Sequence, residues 1–258
     1  PSALAPIEVA PPAVSLAYPG GREPLVGALE PAALPDLSGA VGALLAGTTS
    51  DGPTVLLVEA PHLFARKGGG PYLGPDGKDW PDNHLRFAAL AWAGAQTALG
   101  KLGPWKPDLV HLHDWQAALT AAYLHAASNP GKRTPKPVLP ATLLTIHNLA
   151  FQGVFPHAVS KPLHLPAPAL GHDGMEYWGN ISFLKAGVQW CDHLSTVSPT
   201  YAREILTPEH GMGFDGLLRL RAHELSGIVN GIDDTVWNPG TDPLVSSPYS
   251  ARRLEAQA

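Results

Sequence analysis

Two apolar, strand-like runs each break off at their carboxyl ends into polar side chains, and a helix-length segment separates them. The first is Leu109-Val110-His111-Leu112-His113-Asp114-Trp115-Gln116; the second is Leu143-Leu144-Thr145-Ile146-His147-Asn148. A strand, a crossover helix and a second strand make a βαβ unit, whose strands are parallel. In an open parallel sheet, ligands bind in the crevice beyond the carboxyl ends of the strands. The pattern therefore sets His113-Asp114 and His147-Asn148 where one ligand reaches both.

The flanking segments extend the same alternation. Thr54-Val55-Leu56-Leu57-Val58 reads as a buried strand, and Leu85, Ala89, Trp92 and Leu99 fall at helical spacing over 83–100. Between them, residues 65–82 carry Gly68-Gly69-Gly70-Pro71-Tyr72, Pro75, Gly77 and Pro81 and read as a long loop. A helix is expected from Trp115 to about Ala127. Four prolines between Asn129 and Pro140 exclude another there. Further elements are a helix over 180–190, a strand His193–Val197 and a helix over 214–223. A short last strand is expected at Gly227-Ile228-Val229. Ser198-Pro199 has the form of an N-cap followed by proline at the first helical position. Near the start, Ala13–Tyr18 is a candidate strand. The fold class is α/β, a Rossmann-like parallel sheet with flanking helices.

Composition narrows the function classes. The 258 residues are 45% hydrophobic and 15% charged, so a substantial core is available. The net charge of -5 and the lack of any Lys/Arg cluster argue against a nucleic-acid partner. No apolar run reaches the roughly 20 residues of a membrane span, and no signal-peptide pattern opens the chain. Cys191 is the single cysteine, which rules out an intrachain disulfide or a thiolate zinc site and fits a reducing, cytoplasmic setting.

Each polar feature also has a plain structural reading. His111 and His113, two apart on a strand, share a face and are able to hold a metal. On that reading, a metal-dependent hydrolase would recruit Lys185, His193 and Asp233 as further ligands. Otherwise one histidine packs within the sheet and the other starts the loop. Asp114 has the position of a helix N-cap. Gly68-Gly69-Gly70 is a turn unless it cradles a phosphate, and Asn230-Gly231 has the form of a type I′ turn. Lys185, on an otherwise apolar helix side, reads as a snorkelling lysine.

Taken together, the runs resemble one family. His111–Gln116, Thr145–Gly153 with Phe155, Asn180–Gly187, Thr196–Ile205 and Val229–Asp233 with Trp237-Asn238-Pro239 are similar to segments of bacterial glycogen synthases and plant starch synthases. Glu59–Phe64 and Asp82–Phe87 match in order and spacing. The resemblance implies the N-terminal half of a two-domain GT-B glycosyltransferase. Residues 1–240 would form this domain, and 241–258 would be a linker toward a nucleotide-binding half. It implies retaining transfer of glucose from ADP-glucose to the non-reducing end of an α-1,4-glucan such as glycogen, without an obligatory metal or other cofactor. Catalytic roles would fall to Asp114, His147 and Asn148. Tyr72, Trp115 and Asn230 would bind substrate. Gln116 stands where bacterial members carry histidine, and the family's opening strand with its Lys-x-Gly-Gly loop has no match. The chain by itself is therefore expected to be marginally stable and inactive. A non-catalytic glucan-binding module is the remaining alternative.

Overall fold

The computed structural model describes residues 43–48, 54–102, 105–128 and 137–252. The candidate strand Ala13–Tyr18 and most of the proline-rich stretch after Ser128 lie outside them. Strand β1 (Ala43–Thr48) and strand β2 (Thr54–Glu59) form an antiparallel hairpin of their own. β2 is thus half-exposed rather than the fully buried strand its sequence predicts, because its described pairing is to β1 alone. A single helical turn, α1 (Pro61–Phe64), and the 65–82 loop lead into α2 (Asn83–Ala98).

The main sheet follows as predicted. β3 (Leu109–His113) runs into α3 (Asp114–Ser128), then β4 (Ala141–Ile146). A small antiparallel sheet is built from β5 (Val154–Pro156), β6 (Glu176–Tyr177) and β7 (Asn180–Ser182), ordered β5-β7-β6. Helix α4 (Phe183–Trp190), strand β8 (His193–Thr196), helices α5 (Pro199–Glu204) and α6 (Asp215–Leu220) and strand β9 (Leu225–Gly227) complete the α-helices and strands of the described residues. The main sheet has the order β3-β4-β8-β9, all parallel.

Several boundaries move for local reasons. The helix expected from 180 starts at Phe183, because Asn180–Ser182 pairs with both β5 and β6. Ser182 then caps it, its Oγ accepting from the Lys185 N–H at 3.1 Å. Ser198 caps α5 as predicted, accepting from the N–H groups of Thr200 and Tyr201. The last strand ends at Gly227, two residues early, where a β-carbon would lie 2.4 Å from the Ser198 carbonyl oxygen. Neither Asn230 nor Gly231 takes a positive φ, so the type I′ reading of that pair does not hold. The glycine run does act as a turn, with Gly68 and Gly69 both left-handed and Gly70 N–H donating to the Leu73 carbonyl.

One face of the sheet carries the core. Leu112, Leu144, Ile146 and Leu194 are fully or almost fully buried. α3 and α4 close over them so tightly that a β-carbon on Gly187 would sit 2.8 Å from that of Ala118. The other face is polar: His111 Nε2 meets Thr145 Oγ1 at 2.6 Å, which meets Ser195 Oγ at 2.6 Å. Cys191 is buried, and burial pushes its thiol up to about 12, so it is an inert packing residue.

Lys185 does not snorkel. Its Nζ donates to the carbonyls of His172 (2.7 Å) and Glu176 (2.6 Å), tying the 171–177 segment to α4. The β6–β7 hairpin closes through Trp178 (φ 51°) and Gly179 (φ 80°). A left-handed φ in a residue as bulky as tryptophan costs roughly 1–2 kcal/mol.

Candidate functional site

Because β3, β4, β8 and β9 are parallel, all four carboxyl ends open at one edge of the sheet. Asp114 sits at the junction of β3 and α3 with φ 53°, a left-handed conformation. Such strain persists where surrounding structure fixes it, and here the fixing contact is visible. Asp114 Oδ1 accepts the His147 backbone N–H at 2.7 Å. Its carboxylate thus bridges to the next strand's end, a role different from the N-cap its sequence position suggests.

His147 is held from a second side. Its Nε2 lies 3.0 Å from His113 Nδ1, and the His113 ring also lies tilted against His111 with centroids 4.2 Å apart. A contact of this kind needs one donor and one acceptor nitrogen, so both rings cannot be doubly protonated. Burial, followed by the neighbouring His111 and His147 and opposed by Asp114, holds His113 below the usual histidine range. Stability follows with a definite sign. A histidine whose folded pKa is lowered binds its proton less readily folded than unfolded, so it disfavours the fold once pH falls below about 6.5. Burial lowers His84 in the same direction. The melting temperature is therefore expected to fall as pH drops from 7 toward 5, and His113→Gln to flatten that slope in thermal melts of the full-length protein. An unchanged slope would show that His113 does not set the acid sensitivity of the fold.

Asn148 follows on an exposed turn in which its Oδ1 accepts the Ala150 N–H at 3.0 Å. The turn is pinned at buried Leu149, whose N–H donates to Tyr201 Oη of α5 at 3.0 Å. Gly153, with φ 57°, lets the chain pass directly over Trp115.

Tyr72 reaches the same edge from the 65–82 loop. It is 40% exposed, and its ring lies against Phe87 and Trp115 with centroids 5.7 and 6.1 Å away. Its hydroxyl accepts from Gln116 Nε2 at 2.8 Å. Gln116 therefore has a structural job, which sequence alone left undefined: it aims Tyr72. Its Oε1 is buried without a hydrogen-bond donor. Trp115 is 9% exposed and packs among Phe87, Phe155 and Phe183, so it forms the wall behind Tyr72.

The loop itself hangs on buried Arg86, which the sequence patterns did not single out. Its guanidinium donates to the carbonyls of Leu63 (2.9 Å) and Pro71 (2.8 Å) and to Asn83 Oδ1 (2.7 Å). Asn83 in turn donates to the Tyr72 carbonyl at 3.0 Å. Arg66 pairs with Asp82 and lies over the Trp80 ring. Arg86→Met leaves the Pro71 carbonyl and Asn83 Oδ1 without this donor, while the Leu63 carbonyl keeps the Arg66 Nε–H at 3.1 Å. It is expected to cost about 3 kcal/mol in urea unfolding and to speed proteolysis within 65–82. Asn230 lies three residues past β9 at the same sheet edge, exposed, and no described residue hydrogen-bonds its side chain.

The metal-hydrolase ligand set is not assembled. His113 is engaged with His147, His193 with Ser226, Lys185 with two carbonyls, and Asp233 with Thr235. Among the described residues no group of three or more His, Cys, Asp or Glu is placed to hold a metal ion. Nor, among them, is any helix long and apolar enough to cross a membrane.

Comparison with known proteins places this edge in context. The starch synthase catalytic domain model matches residues 33–220. A glycogen synthase of Rhodopseudomonas palustris is 53% identical over 223 residues, 86% of this chain and 44% of the relative. One from Roseobacter denitrificans is 48% identical over 257 residues, 100% of this chain and 52% of the relative. Among solved structures, the catalytic domain of starch synthase IV from Arabidopsis thaliana, bound to ADP and acarbose, superposes with a TM-score of 0.63. It is 27% identical, with 84% of this chain and 42% of that one covered. The chain spans about half the length of the glycogen synthases it matches. With its parallel sheet, its flanking helices and its matching sequence runs, the chain belongs to the glycogen and starch synthase family of GT-B glycosyltransferases.

Proposed function

We propose that this chain supplies the acceptor-side half of a glycogen synthase, residues 1–240 forming the domain and 241–258 leading toward a nucleotide-binding half. The full-length protein transfers glucose from ADP-glucose to the non-reducing end of an α-1,4-glucan, retaining configuration and needing no obligatory metal. The observation that carries this reading is the cross-strand clamp in which the Asp114 carboxylate holds the His147 backbone at the open sheet edge. The relatives' names and the ADP and acarbose held by the plant starch synthase support it.

The chemistry suits the residues. Retention without a carboxylate nucleophile fits attack on the face from which the nucleotide phosphate departs. Positive charge then develops on the sugar, and fixed polar groups that orient it lower the barrier. With Nε2 occupied by His113, His147 has Nδ1 left for a glucosyl hydroxyl. Asn148 presents its amide nitrogen, since Oδ1 is used within its own turn. Asp114 Oδ2 orients the sugar or the acceptor hydroxyl, Tyr72 stacks at the acceptor end against the Trp115 wall, and Asn230 closes the far side. A cytoplasmic setting agrees with the buried free cysteine.

Incubation of the full-length protein with ADP-glucose and glycogen tests this directly. ADP release in step with glucan elongation is expected, including in the presence of a chelator. Glycogen binding without ADP release would point instead to the non-catalytic glucan-binding module.

A further inference from the structure

We propose that the β6–β7 turn carries a second glucan-binding subsite, in which the indole face of Trp178 stacks on a glucosyl ring beside a largely apolar cavity whose margin carries Lys185, Glu176 and His172. This subsite rests on the glucan reading given above.

Three observations converge on it. First, Trp178 is 82% exposed, so core packing does not account for it. Second, it occupies the first position of a two-residue hairpin loop, Trp178-Gly179, both with positive φ. That position favours Asn, and tryptophan is among the residues it tolerates least. Neither packing among the described residues nor turn geometry selects this side chain, and its position beside the adjoining cavity is what assigns it a ligand contact. Third, a cavity of about 270 Å³ opens beside it, lined by His172, Glu176, Tyr177, Lys185 and Phe214.

The lining matches a sugar. A pyranose presents an apolar face of C–H groups and a rim of hydroxyls, so its site needs an aromatic plate with donors and acceptors at the margin. Two of the three Lys185 ammonium hydrogens are committed to carbonyls, which leaves one donor. Glu176 Oε1 accepts the Gly179 N–H at 2.8 Å, while Oε2 lies 3.7 Å from the exposed His172 ring and remains able to accept. Tyr177 Oη is spent on the Met212 carbonyl, which also accepts from Gln152, so the cavity floor is tied to the loop that follows His147. One exposed indole beside a cavity of this size falls well short of the roughly 800 Å² per partner that a stable protein interface buries. For a branched polymer with many chain ends, a second foothold raises the effective concentration of acceptor ends near the sheet edge.

The test compares the full-length wild-type protein with Trp178→Asn by affinity electrophoresis through glycogen-containing gels. Asn restores the favoured turn dipeptide, so the variant is expected to fold and to melt a few degrees higher. The subsite predicts that glycogen retardation weakens about fivefold, the order expected for losing one aromatic contact. Transfer from ADP-glucose to maltotriose should continue at the wild-type rate. Equal retardation of the two proteins overturns the subsite. A wild-type protein that fails to transfer glucose contradicts the synthase reading alone, since the gel comparison still decides the subsite.

Discussion

Replacing His147 with alanine in the full-length protein should lower kcat for glucosyl transfer about 100-fold or more, the usual cost of removing one preorganised polar group from a charge-developing site. The KM for glycogen should change far less, because the lost contact is to the reacting sugar rather than to the polymer. The geometry explains why one ring matters so much. Asp114 fixes the His147 backbone and His113 fixes its Nε2, so the imidazole is oriented before substrate arrives. Steady-state kinetics with ADP-glucose check this. A kcat within threefold of wild type would mean that His147 only lines the crevice.

The second large effect is on stability. Gly153→Ala meets two penalties at once. The position has φ 57°, and an added β-carbon would lie 2.5 Å from the Trp115 ring, itself packed among Phe87, Phe155 and Phe183. Left-handed strain of about 1–2 kcal/mol and overpacking of about 1–3 kcal/mol together predict a loss near 3 kcal/mol. Chemical denaturation measures it. Because the 147–153 turn rests on Trp115, activity should fall as well, even under conditions where the variant remains folded.

Strand-end placement was legible in the sequence because it depends on local pattern. The apolar runs ending in His113-Asp114 and His147-Asn148 are parallel neighbours in register, with His113 opposite Thr145. Ser198-Pro199 likewise capped its helix, since a cap is a matter of adjacent residues. What could not be read depends on contacts between distant segments. Gln116 and Tyr72 are 44 residues apart, and nothing local announces their hydrogen bond. Arg86 looks like an ordinary surface position on a helix until the loop carbonyls of Leu63 and Pro71 are folded onto it. Thr54–Val58 has the composition of a buried strand, yet pairing decides burial, and its described partner is the single strand β1. Trp115 shows the converse. The family resemblance made it a substrate contact, and the fold sets it, 9% exposed, in the aromatic cluster behind Tyr72.

On the proposed function, the crevice at the ends of β3 and β4 holds the glucosyl group being transferred. The most direct measurement is a crystal structure of the full-length protein with ADP and a maltooligosaccharide. A sugar ring is expected at this edge with hydroxyls within hydrogen-bond distance of Asp114 and His147, and Tyr72 alongside it. Sugar found only elsewhere, with ADP bound and both of those side chains facing solvent, would contradict this placement.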